Sequence, residues 1–218
     1  MSELLDITQQ PSQHVEQGNS FKNASVGDYI QMGRYPQTAN GDILSIEWQV
    51  LEKESKKMLV ISRYSLDSMC FNSNGSQNWE NSDIRKWLNG EFYNNAFNEQ
   101  EKKLIINSRI STFFYKDVFF GFSMKKILIE SNDHIFLLTK EDVEKYFVDE
   151  SRRCKATEYT KKKGAFLGCN DFSYWWLRSA RPYYRSFSVY IIDQLGRIDF
   201  FNVKYRNILV RPAMWINI

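Results

Sequence analysis

Side chains that could act as nucleophiles or metal ligands are few in this chain and stand far apart. It has three cysteines, Cys70, Cys154 and Cys169, and two histidines, His14 and His134. No Cys-x-x-Cys pair occurs, and a tetrahedral zinc site needs more such ligands than any part of the chain offers, so we expect no metal and no cofactor. The odd cysteine count without paired spacing favours free, buried thiols in a reducing compartment.

The best candidates for acid–base chemistry are Glu80 and Asp83 at a predicted helix start, combined with Arg178 or Arg211. The chain contains no Ser-His-Asp or Cys-His arrangement, no Walker loop and no His-Glu-x-x-His motif. The alternative role of the two carboxylates is to cap and charge-balance a helix, and that of the two arginines is to tie strands to carbonyl or carboxylate oxygens. His134 has no partner near it in sequence and is interpreted as structural. We therefore expect a protein that is not an enzyme.

The sequence also contains residues suited to binding a partner, and most of them lie in residues 174–218. Two short motifs, Trp-Trp-Leu-Arg-Ser at 175–179 and Val-Arg-Pro-Ala at 210–213, enclose about thirty residues of different character. We interpret the motifs as framework and the enclosed residues as a contact surface. The predicted framework residues are Trp79, Trp87, Trp175, Trp176, Arg178, Arg211 and Pro212.

The enclosed residues are mostly aromatic, small polar, charged or β-branched. Tyrosine and phenylalanine give rigid contact area, while serine and asparagine adapt their hydrogen bonds to a partner. The alternative interpretation is ordinary β-strand composition, because aromatic and β-branched residues also favour strands. The predicted ligand-binding residues are Tyr183, Tyr184, Arg185, Ser186, Ser188, Tyr190, Asp193, Arg197, Asp199, Phe201, Asn202, Tyr205, Arg206 and Asn207.

Charge is distributed unevenly along the chain. The net charge is +3, yet the segment from Phe172 onward holds seven basic and two acidic residues and therefore carries +5. Either this is a solvated strand face, or it is a face that prefers anionic or aromatic partners. We predict a protein or other macromolecular ligand, with nucleic acid as the alternative partner, since interleaved tyrosine and phenylalanine side chains can stack on bases.

The amino-terminal residues differ in composition from the rest of the chain. Residues 1–24 are polar and predict a tail or linker, followed by one domain at 25–218. The first residues lack the basic start and apolar run of a signal peptide, and no apolar stretch is long enough for a membrane span. We expect a cytoplasmic protein unless a specialised export route is used. The sequence does not predict the oligomeric state.

Strands are predicted near both ends of the chain. Residues 29–32 predict a strand, and Gly-Arg-Tyr-Pro-Gln at 33–37 predicts a turn away from it. Alternation at 46–53 and 57–63 predicts a β-hairpin. A strand is predicted at 133–138, and three more at 188–193, 197–201 and 207–216. Pro212 restricts the last strand to an edge, bulge or switch position.

Helices are predicted in the middle of the chain. Asn81 or Ser82 can cap a helix that carries its apolar residues at helical spacing. Capping patterns also open helices at 98–105 and at 139, and residues 152–163 predict a basic helix that Gly164 ends. The aromatic segment 109–126 is open to two interpretations, an insertion loop or an edge hairpin. Terminal strands with helices between them predict an α+β fold.

Five motifs in order resemble an uncharacterised bacterial domain family over about residues 26–218. They are Gly-Arg-Tyr-Pro-Gln at 33–37, Ile-Glu-Trp-Gln-Val-Leu at 46–51, the eleven residues at 79–89, and the two framework motifs. The carboxy-terminal part is similar to proteins of the C-type-lectin fold, which include formylglycine-generating enzymes and the variable proteins of diversity-generating retroelements. The resemblance implies a C-type-lectin-like fold with its first and last strands in a central sheet.

The same resemblance implies a binding surface that adenine mutagenesis diversifies, because the enclosed residues match the amino acids that such mutagenesis produces. The calcium-binding motifs of sugar-binding lectins, Glu-Pro-Asn, Gln-Pro-Asp and Trp-Asn-Asp, are absent, so calcium-mediated glycan binding is not expected. Formylglycine-generating enzymes use a cysteine pair late in the domain, whereas here no cysteine follows Cys169. Oxidase activity is therefore not expected either.

Overall fold

The computed structural model describes residues 21–118, 124–182 and 187–218, and both helices and strands build it, as expected. The strands are β1 (Tyr29–Pro36), β2 (Ile43–Lys53), β3 (Lys57–Ser62), β4 (Asp67–Ser68), β5 (Ser108–Asp117), β6 (Met124–Asp133), β7 (Trp175–Ala180), β8 (Ser188–Ile192), β9 (Ile198–Asn202), β10 (Leu209–Val210) and β11 (Ala213–Asn217). The helices are α1 (Asp83–Trp87), α2 (Tyr93–Ala96), α3 (Glu99–Leu104), α4 (Lys140–Tyr146) and α5 (Glu158–Lys162). A π-helical turn at Leu88–Phe92 joins α1 to α2, and 3₁₀ turns lie at Asp149–Arg152 and Cys169–Asp171.

A first sheet, in the order β1-β2-β3-β11, brings strands from near both ends of the chain together. The β2–β3 hairpin confirms the sequence prediction, with Val50 opposite Val60. The predicted turn at 33–37 is wrong, because β1 continues through it to Pro36. The pairing with β2 shifts register between Gln31 and Arg34, so Gly33 lies in a bulge.

Only glycine fits at position 33 in this bulge, because the backbone conformation and the neighbouring side chain leave no room for a Cβ atom. Its φ is +69°, and a Cβ there would lie 2.6 Å from the ring of Phe97. Its N–H donates to Glu101 Oε1 at 2.7 Å, which ties the bulge to α3. The turn prediction failed because a glycine in a β-bulge and a glycine in a turn can both adopt positive φ, and the sequence pattern does not distinguish them.

A second sheet has the order β4-β10-β7-β8-β9 and carries five of the predicted ligand-binding residues, namely Ser188, Tyr190, Asp199, Phe201 and Asn202. The single strand expected at 207–216 is in fact two, because β10 pairs in this sheet while β11 pairs with β3 in the first. Pro212 lies at the crossing, where its carbonyl accepts from Ser62 N–H at 2.9 Å. Of the edge, bulge and switch positions predicted as alternatives for Pro212, the switch position is the one that occurs.

Helix starts agree with the capping predictions. Ser82 caps α1, Asn98 and Glu101 form a capping box on α3, and Thr139 forms one with Asp142 on α4. The basic helix predicted at 152–163 is shorter than expected. It begins only at Glu158, because Thr157 caps it, and the chain turns out at Gly164 with a φ of +79°.

Of the aromatic segment 109–126, left open by the sequence, residues 109–117 lie in β5 and residues 124–126 in β6, which pair as antiparallel strands, and residues 119–123 lie outside the described residues. Of the strand predicted at 133–138, only Asp133, the last residue of β6, and Phe136, which forms a single bridge with Ala213, take part in strand pairing. The reason is that Asn89 takes the backbone groups a neighbouring strand would use. Its Oδ1 accepts from the N–H of His134 and Ile135, and its Nδ2 donates to the carbonyl of Ile135.

One apolar core cluster connects the layers. Its largest fully buried side chains include Trp48, Trp79, Trp175 and Trp176. The cluster begins earlier than the predicted domain start at 25, since Phe21 and Ala24 are both buried in it. Residues 1–20 of the predicted tail lie outside the described residues. No helix in the described ranges is long and apolar enough to cross a membrane.

Candidate functional site

Four aromatic side chains from three chain segments form one cluster at the protein surface, which we call the aromatic surface: Phe166, Tyr174, Phe201 and Tyr205. The ring centroids of Phe166 and Tyr174 are 4.6 Å apart, those of Tyr174 and Phe201 6.2 Å, and those of Phe201 and Tyr205 5.0 Å. Tyr205 is 55% exposed and Phe166 47%. Such edge-to-face and tilted ring contacts hold side chains in place while leaving apolar area open to a partner.

Backbone contacts hold the segments of the aromatic surface together. The N–H of Phe166 donates to the carbonyl of Asn207 at 2.8 Å, and Asn207 Nδ2 donates to the carbonyl of Gly164 at 2.7 Å. Asn202 Oδ1 accepts from the Lys204 N–H at 3.0 Å, which fixes the turn after β9. These bonds support the loop that presents Tyr205. The asparagines at 202 and 207, predicted as contact residues, also have this structural role.

The predicted ligand-binding residues do not share one face. Tyr190 lies opposite Phe200 on one side of the β8–β9 pair, while Phe201 lies opposite the fully buried Val189. Strand side chains alternate, so neighbouring positions of β9 point to opposite sides of the sheet. The aromatic surface therefore holds Phe201 and Tyr205, whereas Tyr190 belongs to a separate cleft. Asp199 and Arg206 are exposed, Ser188 is half-buried, and residues 183–186 lie outside the described ranges.

Asp193 and Arg197, both predicted as ligand contacts, form the β8–β9 turn. Asp193 is only 2% exposed. Its Oδ1 accepts from the N–H of Leu195 and of Arg197, and its Oδ2 accepts from Arg197 Nε at 2.7 Å. Hydrogen bonding to this carboxylate raises the pKa of Arg197. Because the aspartate accepts three hydrogen bonds from its own turn and is almost fully buried, it offers little to a partner.

The framework prediction for the two tryptophans of the first motif is supported by their burial. Trp175 and Trp176 are fully buried, and each indole N–H donates to a backbone carbonyl, of Arg152 at 3.2 Å and of Met69 at 2.9 Å. Trp79 donates likewise to Asp133 Oδ2 at 2.8 Å. Buried indoles need such acceptors, so these rings have fixed orientations.

Both framework arginines are buried, and each contacts a different part of the protein. Arg178 donates to the carbonyl of Leu137 and pairs with Asp142 at 3.2 Å, and burial lowers the pKa of its guanidinium. Arg211 Nε donates to the carbonyl of Ser62 at 3.0 Å, and the guanidinium lies 5.0 Å from the ring of Trp175. Each arginine ties neighbouring segments together, as the structural interpretation expected.

The candidate acid–base residues do not converge on one site. Asp83 accepts from the N–H and Oγ of Ser73, and these bonds lower the pKa of its carboxyl. Glu80 is exposed. His134 stacks on Tyr93 with ring centroids 4.5 Å apart. Among the described residues, no group of three or more histidine, cysteine or acidic side chains could hold a metal ion.

A cleft of about 620 Å³ lies between the β5–β6 hairpin and the start of α4 with the end of β7. Tyr115 and Lys126 line one wall, and Lys140, Glu141 and Tyr190 line the other. Burial, followed by the neighbouring charges of Tyr190 and Glu141, raises the pKa of the Tyr115 phenol. Of these five residues, only Tyr190 was predicted to contact a ligand. Lys140 and Glu141 were recognised only as part of a helix start, and Tyr115 and Lys126 belong to the aromatic or adjoining residues at 109–126 whose structure the sequence left open.

Comparison with known families gives one result. Residues 55–218 match the family model described as Domain of unknown function (DUF6273). Neither the comparison with curated proteins nor that with solved structures found a match. The matched residues include α1, the β5–β6 hairpin, the cleft and the aromatic surface. Because the match covers most of the chain, the protein belongs to the DUF6273 family.

Proposed function

We propose that this chain is a recognition domain that binds a macromolecular partner, a protein in the first instance, through the aromatic surface. The observation that carries the proposal is the cluster Phe166–Tyr174–Phe201–Tyr205, whose outer rings are about half exposed although a large apolar core exists to bury them. Tyrosine-rich, pre-positioned clusters dominate the energetics of many protein interfaces. The exposed Lys204 and Arg206 beside it add a basic rim.

A site-specific crosslinking experiment tests this proposal. A photoreactive phenylalanine analogue is placed at Tyr205 and, as a matched control, at Tyr29, which is similarly exposed but lies on the first sheet. We expect a partner to be captured from the native cell at position 205 and not at position 29. Equal capture at both positions would argue against a specific surface.

The captured partner is then purified and its affinity measured. Loss of a central aromatic anchor costs more than about 1 kcal/mol, so Tyr205→Ala and Phe201→Ala should each weaken binding roughly tenfold. Tyr29→Ala should change the dissociation constant less than twofold. Unchanged affinity in both surface variants would overturn the proposal. A nucleic acid as partner would show itself by affinity that falls steeply with salt.

We further propose that the fold is C-type-lectin-like and that the enclosed segment is diversified. What supports the first is that β1 and β11 lie in one sheet. What supports the second is the contrast in burial: Trp175, Trp176 and Arg211 are buried, while Asn202 and Tyr205 are exposed. Sequencing the genomic DNA around the gene's 3′ end tests diversification. A near-copy of the coding stretch for residues 174–218 that differs only at adenines, beside a reverse transcriptase, is the expected finding.

A further inference from the structure

One face of the β5–β6 hairpin forms a wall of the cleft. Ser111, Phe113 and Tyr115 alternate along β5, and Lys126 lies directly opposite Tyr115 on β6. Because alternate residues of a strand point to the same side, these side chains share one face of the hairpin. The Lys126 ammonium lies 3.8 Å from the ring centroid of Phe113. The hairpin therefore places two aromatic rings and one ammonium group at the cleft.

The other wall consists of the start of α4 and the end of β7, together with Tyr190 from β8. The N–H of Lys140 donates to Ser179 Oγ at 2.9 Å, which fixes α4 to β7. The same hydroxyl donates to Glu141 Oε2 at 3.4 Å. The Lys140 ammonium lies 5.5 Å from the ring centroid of Tyr190. This wall therefore has a fixed backbone, and it carries an aromatic ring and a carboxylate.

Two ion pairs neutralise most of the charge that lines the cleft. Arg178 Nη2 lies 3.2 Å from Asp142 Oδ2, and Lys140 Nζ lies 3.6 Å from Glu144 Oε1. Each pair has a net charge of zero, so neither pair attracts a ligand of one particular sign. These pairs therefore do not favour a ligand that carries a net charge.

Two lining charges of opposite sign remain. Within the described ranges neither Lys126 nor Glu141 forms an ion pair, and they lie on different walls, in β6 and in the first turn of α4. Burial raises the pKa of the Tyr115 phenol, and the neighbouring charges of Tyr190 and Glu141 raise it further, so Glu141 acts across the cleft on the hairpin wall. One positive and one negative group at a single cavity complement a ligand that carries both charges.

The size of the cleft limits the length of such a ligand. A compact cavity of about 620 Å³ is roughly 8 to 9 Å across, and an extended chain spans at most about 3.6 Å per residue. Two or three residues therefore reach from one wall to the other. A single amino acid does not, because its two charged groups are joined through one carbon atom.

We propose that the cleft binds a dipeptide or tripeptide with free termini. Its carboxylate pairs with Lys126, its ammonium group pairs with Glu141, and an apolar side chain packs against Tyr115 and Tyr190. The two charges fix the orientation of the peptide, and the aromatic rings supply contact area. This site is separate from the aromatic surface, and the proposal does not rest on the function proposed for that surface.

Calorimetric titration of the full chain with four forms of one peptide tests the proposal. The probe is the tripeptide alanyl-phenylalanyl-alanine with free termini, and the other forms have an acetylated amino terminus, an amidated carboxy terminus, or both. We expect each single block to weaken binding about two- to fivefold, the range for exposed ion pairs, and the double block to weaken it further. No binding of the free peptide at millimolar concentration, or equal affinity of the free and doubly blocked peptides, overturns the proposal.

Two variants assign each terminus of the peptide to its partner. Lys126→Gln should weaken the free peptide about two- to fivefold but leave the amidated peptide unchanged, because that peptide has already lost its carboxylate. Glu141→Gln should weaken the free peptide to a similar extent and leave the acetylated peptide unchanged. Equal losses for the free and blocked peptides, or no loss in either variant, would overturn the assignment.

Matched controls separate this site from its surroundings. Lys125→Gln should leave the affinity unchanged, because Lys125 is also exposed but lies on the other face of the hairpin, opposite Lys116. Tyr205→Ala should leave peptide binding unchanged as well, so failure of this site and failure of the aromatic surface are distinguishable. A loss with Lys125→Gln equal to that with Lys126→Gln would refute the site.

The apolar contact is tested on the peptide itself. Replacing the phenylalanine of the probe by glycine removes the side chain that packs against Tyr115 and Tyr190, so binding should weaken at least fivefold. Unchanged affinity of the glycine peptide would refute the aromatic contact and with it the proposed position in the cleft.

Discussion

Two buried aspartates each accept a hydrogen bond from an arginine, but one bonds to residues distant in sequence and the other only to residues of its own turn. Asp133 accepts from Arg85 Nε at 2.6 Å, and Asp193 accepts from Arg197 Nε at 2.7 Å. The partners of Asp133 include Trp79 and Arg85, about fifty residues away in sequence. Those of Asp193 lie within four residues, on its own turn. One carboxylate joins distant parts of the fold, and the other closes a hairpin on itself.

This difference in hydrogen-bond partners distinguishes a residue of the structural framework, Asp133, from a residue that supports a surface hairpin, Asp193. Asp133 ties α1 to the end of the β5–β6 hairpin, so a change there reaches the core. Asp193 stabilises the β8–β9 turn with local bonds, and the exposed side chains of β9 contribute little to them. A hairpin that is closed by local contacts can change its exposed residues while the core stays intact. This is the property a recognition surface requires.

The largest effect is expected for Asp133→Ala. It would leave the indole N–H of Trp79 and the Nε–H of Arg85 without their acceptor, in a site where Asp133 itself is fully buried. Breaking a buried pair by removing one partner costs about 3–5 kcal/mol. We expect the free energy of unfolding in urea to fall by about 3 kcal/mol. A loss below about 1 kcal/mol would contradict the framework role.

A smaller effect is expected for Asp193→Ala. The turn would lose three hydrogen bonds to a carboxylate, but Arg197 is 70% exposed and water can replace its partner. We therefore expect a loss of about 1–2 kcal/mol in the same urea measurement. A loss as large as that of Asp133→Ala would erase the distinction between the two centres.

Tyr205→Ala sharpens the comparison further. The side chain is 55% exposed, and surface substitutions of this kind change stability by about 0.5 kcal/mol or less. The same substitution should weaken partner binding roughly tenfold. Trp176→Ala is the matched contrast, since a fully buried tryptophan costs about 3–5 kcal/mol. Comparable stability losses in the two variants would show that Tyr205 is a core residue.

The smallest effect concerns pH. Burial lowers the pKa of His134 below its usual value of 6.5, against the opposing charge of Asp133. The unfolded chain therefore takes up a proton before the folded one does, and this contribution to stability is present above about pH 6.5 and lost as pH falls below it. His134→Gln should flatten the dependence of the urea midpoint between about pH 7 and 5.5. An unchanged slope in His134→Gln would mean that another group titrates.

The sequence predicted well those features that neighbouring residues control. Caps at Ser82, Asn98 and Thr139 each depend on a side chain and a backbone N–H a few residues apart. The β2–β3 and β8–β9 hairpins depend on alternation and a short turn. Burial of Trp175 and Trp176 was also expected from their place in an apolar motif.

Predictions from the sequence failed where residues from a distant segment bond to, or pack against, the backbone of the predicted element. Asn89 occupies the backbone groups of residues 134 and 135, which overrides a strand pattern there. Gly33 is held in a bulge by Phe97 and Glu101 rather than in a turn. In both places the deciding contact is more than forty residues away.

By itself the sequence determined the α+β composition, most helix starts and hairpins, and the division of the carboxy-terminal segment into buried motifs and a more polar, aromatic filling. Only the tertiary structure decided that this filling divides between two surfaces, that Asp193 is a turn residue, and that the β5–β6 hairpin, α4, β7 and Tyr190 line one cleft. The physical reason is the distance along the sequence over which each kind of interaction acts. Propensity, capping and alternation act between neighbours in sequence, whereas the aromatic surface and the cleft each gather side chains from three or more segments that only folding brings together.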